Sequence, residues 1–239
     1  MIISVVNQKG GVGKSTVSTS LAVSFALLNY RVLFIDSDDQ KSSLDWINNR
    51  PDGRCKIVGT HLGTQHLKKQ VRELSKNYDV TIIDGKGIIS EASKAALVIS
   101  DFFIVPVSPG TYDLHSTEDF IDKVVQEVSS FKDTNGAILL NMMDSTSLSR
   151  EIEGYIRSLD FPVFEAKLSR LTAFREAASK GLSVSEYASS SKANIEFERF
   201  FKELCDGIGV DYGKKLRSRS QKSKHAGSEK YSARGHHPA

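Results

Sequence analysis

The chain has 239 residues, 39% of them hydrophobic and 26% charged, with a formal net charge of +3. That balance suits a globular domain with one sizeable core and excludes a low-complexity or fibrous chain. No run approaches the roughly 20 apolar residues of a membrane helix, and Ile2–Val6 is too short, and lacks the basic leader, to read as a secretory signal.

Cys55 and Cys205 lie far apart with no metal-like spacing and are expected as reduced, buried thiols, which fits a cytoplasmic protein. The isolated His61, His66 and His115 are assigned to no metal. The charge is uneven. Asp211 to Ala239 carries eight Lys/Arg against two acids, a net +6, which leaves −3 on the rest. A stretch so rich in Ser, Gly and His has little to bury. The expected division is therefore a folded unit at 1–209 and a basic, disordered tail at 210–239.

In chain order, short apolar runs alternate with amphipathic stretches. Ile2–Val6 reads as a buried strand and Lys14–Leu28 as a helix. Arg31–Ile35 is a second strand, and Ser42–Asn49 a helix with Trp46 on its apolar face. Lys56–Gly59 is expected as an edge strand and Leu62–Lys76 as a helix. The strand Val80–Ile83 runs into Asp84, followed by a helix at Ser90–Ile99. Phe102–Val107 is a strand closed by Pro106 and Pro109, and Asp113–Phe131 a long helix. Ala137–Leu140 is a strand ending at Asn141, Ser149–Leu159 a helix, and Pro162–Glu165 a short strand. Helices at Ala173–Lys180 and Lys192–Ile208 complete the series. Continuous Val/Ile/Leu strands alternating with helices predict an α/β fold, doubly wound, with a mainly parallel sheet flanked by helices. Asn7, Asp36, Asp84, Pro106 and Asn141 all fall just past strand ends, the rim where such sheets bind ligands.

Between the first strand and helix stands Lys9-Gly10-Gly11-Val12-Gly13-Lys14-Ser15-Thr16. Glycines there let backbone N–H groups turn around phosphates, and the helix N-terminus adds partial positive charge. Lys14 would reach the β- and γ-phosphates and Ser15 would ligate Mg²⁺. The ordinary pattern G-x-x-x-x-G-K-[ST] requires glycine where Gln8 stands. The deviant form K-G-G-x-G-K-[ST] matches throughout.

NQKGGVGKST, FIDSDDQKSSL and TIIDGKG together resemble the ParA/MinD group of deviant Walker P-loop ATPases over about Met1–Phe201, closest to small ParA-type partition proteins. RLTAFREAASKGLSVSEY, residues 170–187, is similar to a stretch near the end of many of them. The resemblance implies ATP and Mg²⁺ as ligands. It implies that Lys9 reaches across a dimer interface to the partner's phosphates, neutralising developing charge. Asp38 matches the residue that orients the attacking water. By the same resemblance Asp36 would hold the Mg²⁺ shell or the loop, and Asp84 would bind Mg²⁺ through water. The family's D-x-D-P-Q becomes Asp36-Ser37-Asp38-Asp39-Gln40, with Asp39 replacing proline. Gly85-Lys86-Gly87 reads as a γ-phosphate switch. Asn141 offers an amide to the adenine edge, beside Pro106 and Pro109.

The implied activity is an ATPase, slow and partner-stimulated, that dimerises on ATP and binds nonspecific DNA. A ParB-type partner switches it off, so that DNA is partitioned on the nucleoid. The basic tail, or Arg170, Arg175 and Lys180, would supply DNA contacts. The alternative is a MinD-like or other ParA-type ATPase positioning a division, membrane or protein cargo. Against membrane binding, Lys192–Ile208 carries Glu196, Glu198, Glu203 and Asp206 and is followed by a polar tail.

Overall fold

The computed structural model describes residues 1–7, 9–63, 67–85, 91–109, 122, 126 and 135–212. Six strands form one sheet: β1 (Ile2–Val5), β2 (Val32–Asp36), β3 (Val58–His61), β4 (Val80–Asp84), β5 (Phe102–Val107) and β6 (Asn135–Leu140). Their order is β3-β2-β4-β1-β5-β6, and every pair is parallel. The described helices are α1 (Lys14–Leu27), α2 (Ser42–Asn48), α3 (Leu67–Ser75), α4 (Glu91–Ile99), α5 (Ser147–Ser158), α6 (Thr172–Ser179), α7 (Val184–Tyr187) and α8 (Lys192–Gly207).

Alternate strand residues enter different layers, as the two-residue period of a strand requires. Val32, Phe34, Val80, Ile82 and Ile104 face a core shared with α1 and α8. Leu33, Ile35 and Ile83 face α3 and α4, whereas Phe103, Val105, Ile138 and Leu140 face α5. Burial on both faces is why these strands read as unbroken apolar runs. Phe25, Phe197, Phe200 and Phe201 are fully buried in the first core, and Phe25 meets Phe201 edge-on at 5.0 Å. The acid-bearing helix α8 is thus a core helix.

Several boundaries differ from expectation. The edge strand lies at Val58–His61 because its register on β2 runs from Leu33↔Val58 to Asp36↔His61. Gly59 sits inside it, where a Cβ would stand 2.7 Å from Leu44 of α2. The third helix is described over Leu67–Ser75, and Leu62, expected at its start, instead donates its N–H to the Asp36 carbonyl at 3.1 Å. Pro162–Glu165 makes only an isolated bridge, Ile138↔Val163. The short helix α7, with a Ser183/Glu186 capping box, was not anticipated. Packing continues past Gly209, since Val210 is buried and Tyr212 meets Phe201 edge-on at 5.7 Å. The helix expected at Asp113–Phe131 lies outside the described residues except for helical Asp122 and Gln126. His66, Lys86, Gly87, His115 and residues 213–239 also lie outside them.

Candidate nucleotide site

Register brings the rim together. Asp36 and Asp84 are paired neighbours on β2 and β4, and Val5 pairs with Asp84 on the other side. The chain leaves β1 through Asn7, whose side-chain amide donates to the Pro106 carbonyl at 2.7 Å and accepts the Lys9 N–H at 2.8 Å. Asn7 therefore ties the start of the glycine loop to the end of β5.

The loop itself is braced from below. Val12 is buried, and its carbonyl accepts the Asn141 side-chain amide at 2.7 Å. Gly10 and Gly11 are exposed, Gly11 at φ 76°. Gly13 adopts φ 87°, and a Cβ there would stand 2.4 Å from Asn141 Nδ2. Only glycine satisfies both demands. Gly13 is also the N-cap of α1 and has no side chain to offer. The first-turn amides and the helix dipole are thereby left for an anion. Asn141 thus acts on the loop, through the very amide expected to read adenine. The next residue, Met142, takes the left-handed conformation at φ 54°, uncommon for a residue with a long side chain.

Charge is concentrated around this loop. Lys14 Nζ donates to the Lys9 carbonyl at 3.1 Å. Its half-burial lowers the Lys14 pKa, while the charges of Asp84 and Asp38 oppose that shift. Ser15 is exposed and Thr16 half-buried at the mouth of the cradle. Asp84 is buried, and burial pushes its carboxyl up to about 6, although the Ser43, Ser15 and Ser18 hydroxyls favour the charged form and Asp36 opposes it. Among the described residues, Asp84 Oδ1 is buried with no hydrogen-bond partner. A dry, unsatisfied carboxylate oxygen facing a serine-bearing phosphate loop fits a hydrated divalent cation. Among the described residues, no group of three or more His, Cys, Asp or Glu could hold a metal unaided. A cation here would share its shell with phosphate oxygens and water.

Asp36 has a different environment. Its Oδ1 accepts the Asp38 N–H at 2.9 Å. Its Oδ2 accepts the Ser43 N–H at 3.0 Å, the Ser43 hydroxyl at 2.7 Å and the Leu44 N–H at 2.9 Å. Of the two roles expected for Asp36, these bonds describe the holding of the loop and of the α2 N-terminus. Asp38 is half-buried and accepts the Gln40 N–H at 3.0 Å, which shapes the turn into α2.

A pocket adjoins the cradle at Thr16. Val17, Asn141, Met142, Leu168, Leu171 and Phe174 form its largely apolar wall, with Arg170 and Arg175 at the same opening. An apolar slot beside a phosphate loop has the character of a site for a flat base. The segment 168–171 and α6 supply half of this wall. Nothing in the sequence marks them as nucleotide neighbours, because they meet Thr16 and Val17 only through the fold.

Comparison with known proteins points to a nucleotide-binding family. The profile of the CobQ/CobB/MinD/ParA nucleotide binding domain matches residues 3–184. The maintenance of carboxysome distribution protein A of Gloeobacter kilaueensis is 28% identical, over 85% of this chain and 93% of its own length. The chromosome-partitioning ATPase Soj of Thermus thermophilus is 26% identical, over 84% and 94%. Among solved structures, the fold is similar to that of MinD from Pyrococcus horikoshii complexed with Mg-ADP. That match has a TM-score of 0.70 and 20% identity, covering 88% of this chain and 98% of that one. It is also similar to a Cyanothece McdA variant in complex with ATP, at a TM-score of 0.70 and 15% identity over 88% and 96%. With its six-stranded parallel sheet, its glycine loop and a matched profile over most of its length, the chain belongs to the CobQ/CobB/MinD/ParA nucleotide-binding family.

Proposed function

We propose that the chain is an ATPase switch that dimerises on ATP·Mg²⁺, binds nonspecific DNA as the dimer, and partitions DNA cargo. Hydrolysis, slow alone and stimulated by a ParB-type partner, would reset it. The observation that carries the nucleotide part is the buried Asp84 carboxylate oxygen, without a partner among the described residues, beside the Ser15-bearing loop.

The residues divide the work. The amides of Gly10–Thr16 and the α1 dipole bind phosphate oxygens. Lys14, released from the Lys9 carbonyl, adds its positive charge to the β- and γ-phosphates. Lys9 reaches the phosphates of the partner protomer, so that the site is complete only in a dimer. Ser15 and Asp84 hold the cation's ligand and water shell. Mg²⁺, when bound, supplies charge neutralisation at the phosphates. Asp38 orients water toward the γ-phosphate, while Asp36 fixes the loop that carries Asp38. The base lies in the pocket between Thr16 and Phe174.

A basic surface is needed for duplex DNA. Arg170 and Arg175 are exposed at the nucleotide pocket, Lys180 is exposed at the end of α6, and the tail adds its charge. No helix among the described residues is long and apolar enough to cross a membrane. A cytoplasmic, nucleoid-associated location follows from this reading. A second reading, positioning of a protein assembly, is favoured by the carboxysome-distribution relative from Gloeobacter kilaueensis, which matches 85% of this chain. Both readings share the ATP-driven step.

The test is binding to nonspecific duplex DNA with ATP·Mg²⁺, with ADP·Mg²⁺ and without nucleotide, for the full chain and for one ending at Tyr212. ATP-selective binding that survives truncation is expected. Binding that ignores nucleotide and vanishes with the tail would contradict the switch.

A further inference from the structure

The nucleotide chemistry leaves the acidic face of α8 unused. Glu196 and Glu203 stand seven residues apart, two helical turns, and so share one face. Both carboxylates accept backbone N–H groups from the segment that follows the Val163 bridge. Glu203 takes the Glu165 and Ala166 N–H groups at 2.7 and 2.9 Å. Glu196 takes the Ser169 N–H at 2.7 Å and the Ser169 hydroxyl at 2.8 Å. Its side chain is 14% exposed, with Lys192 Nζ 3.6 Å away.

The two clamps look alike but act on different places. Leu168, Ser169 and Arg170 run beside the exit of β6, with Leu168 N–H on the Leu140 carbonyl, Met143 N–H on the Leu168 carbonyl and Arg170 N–H on the Met143 carbonyl. These three residues line the pocket beside Thr16, and so does Phe197, the neighbour of Glu196. Glu165 and Ala166 do not line it. A carboxylate that accepts two hydrogen bonds from one residue fixes both its backbone direction and its side-chain rotamer.

We infer that Glu196 is a positioning residue for the base of the bound nucleotide, holding Ser169 so that the wall from Leu168 to Arg170 stands at the right distance from Met142. The inference rests on the proposed ATP site. Glu196 touches neither phosphate loop nor cation ligand, so its loss should be felt through the base alone.

The test compares ATP·Mg²⁺ with tripolyphosphate·Mg²⁺, a probe without a base, on full-length protein by calorimetry. Glu196→Ala is expected to weaken ATP about tenfold, the scale of losing charge-assisted hydrogen bonds, and to leave tripolyphosphate within about twofold. Glu203→Ala, which deletes an equivalent clamp away from the pocket, should keep its ATP affinity. Glu196→Gln, which retains an acceptor for the Ser169 N–H, should recover most of the loss. Should the alanine variant not fold, Ser169→Ala removes one contact from the other side and should weaken ATP about threefold. Unchanged ATP affinity in Glu196→Ala or in its replacement Ser169→Ala, or an equal loss in Glu203→Ala, would overturn the inference while leaving the ATP site intact. Wild-type protein that holds ATP no better than tripolyphosphate would overturn the base pocket itself.

Discussion

Asp84 is costly to the fold when it is ionised. Burial raises its carboxyl to about 6 from an ordinary 3.8. A folded-state value above the unfolded one means that the stability it contributes is present below pH 3.8 and is lost as pH rises through about 6. Above that, the metal-free fold holds a charge in a dry place. Asp84→Asn should therefore melt higher than wild type at pH 8 without nucleotide, by about 1–3 kcal/mol of stability, and match it at pH 4. The same variant should lose the stabilisation that ATP·Mg²⁺ gives wild type. Thermal melts at both pH values check each sign. Gly13 makes the opposite case, a residue whose replacement harms both fold and site. Gly13→Ala meets Asn141 Nδ2 and an unfavourable φ of 87°. It should cost roughly 1–3 kcal/mol and abolish ATP binding measured by calorimetry. At this scale the sequence was informative about the loop, since its glycines and lysines sit in one contiguous run. It was silent on Asn141 as a brace, because the carbonyl it holds lies 129 residues away.

Helix α2 begins on the Asp36 carboxylate and ends against α6 and α7. Trp46 Nε1 donates to the Ala178 carbonyl at 2.8 Å, and Arg50 meets Glu186 at 2.9 Å with both side chains 6% exposed. The guanidinium also donates to the Gly181 carbonyl at 3.3 Å. Burial would raise the Glu186 carboxyl, but Arg50 and Ser183 outweigh it and hold it below its ordinary value. That depressed value contributes stability above about pH 4.5 that is lost as pH falls through the folded-state value. Removing one partner strands the other in a dry site, so Arg50→Met should cost about 3–5 kcal/mol in urea unfolding at pH 7. Arg50→Met with Glu186→Leu should recover much of that and flatten the acid limb of the melting curve. Elements with strong periodicity were legible in the sequence: β1, β2, β4 and β5 are Val/Ile/Phe runs, and α8 carries a phenylalanine stripe. Edge strand β3 reads Val-Gly-Thr-His, with almost no apolar signal, and its position is set by register on β2 and by the fit of Gly59 under α2. Helix α7 spans four residues and stands on its capping box and the Arg50 pair, both invisible to periodicity.

Across the molecule, parallel topology puts the ends of β1, β2, β4, β5 and β6 on one rim. Residues as distant in sequence as Asn7, Asp36, Asp84 and Asn141 therefore surround a single loop. The alternation of strand and helix made that rim predictable. It could not reveal the pocket beside Thr16, half of whose wall comes from 168–171 and α6, far along the chain from the glycine loop. In the proposed switch, two such rims close on each other with Lys9 crossing between them. Light scattering of the full chain with ATP·Mg²⁺, with ADP·Mg²⁺ and without nucleotide tests it most directly, with Lys9→Ala alongside. A doubled mass is expected with ATP·Mg²⁺ only, and a single-chain mass for Lys9→Ala that still binds ATP. An equal mass in all three nucleotide states, or ATP-driven doubling untouched by Lys9→Ala, would contradict it.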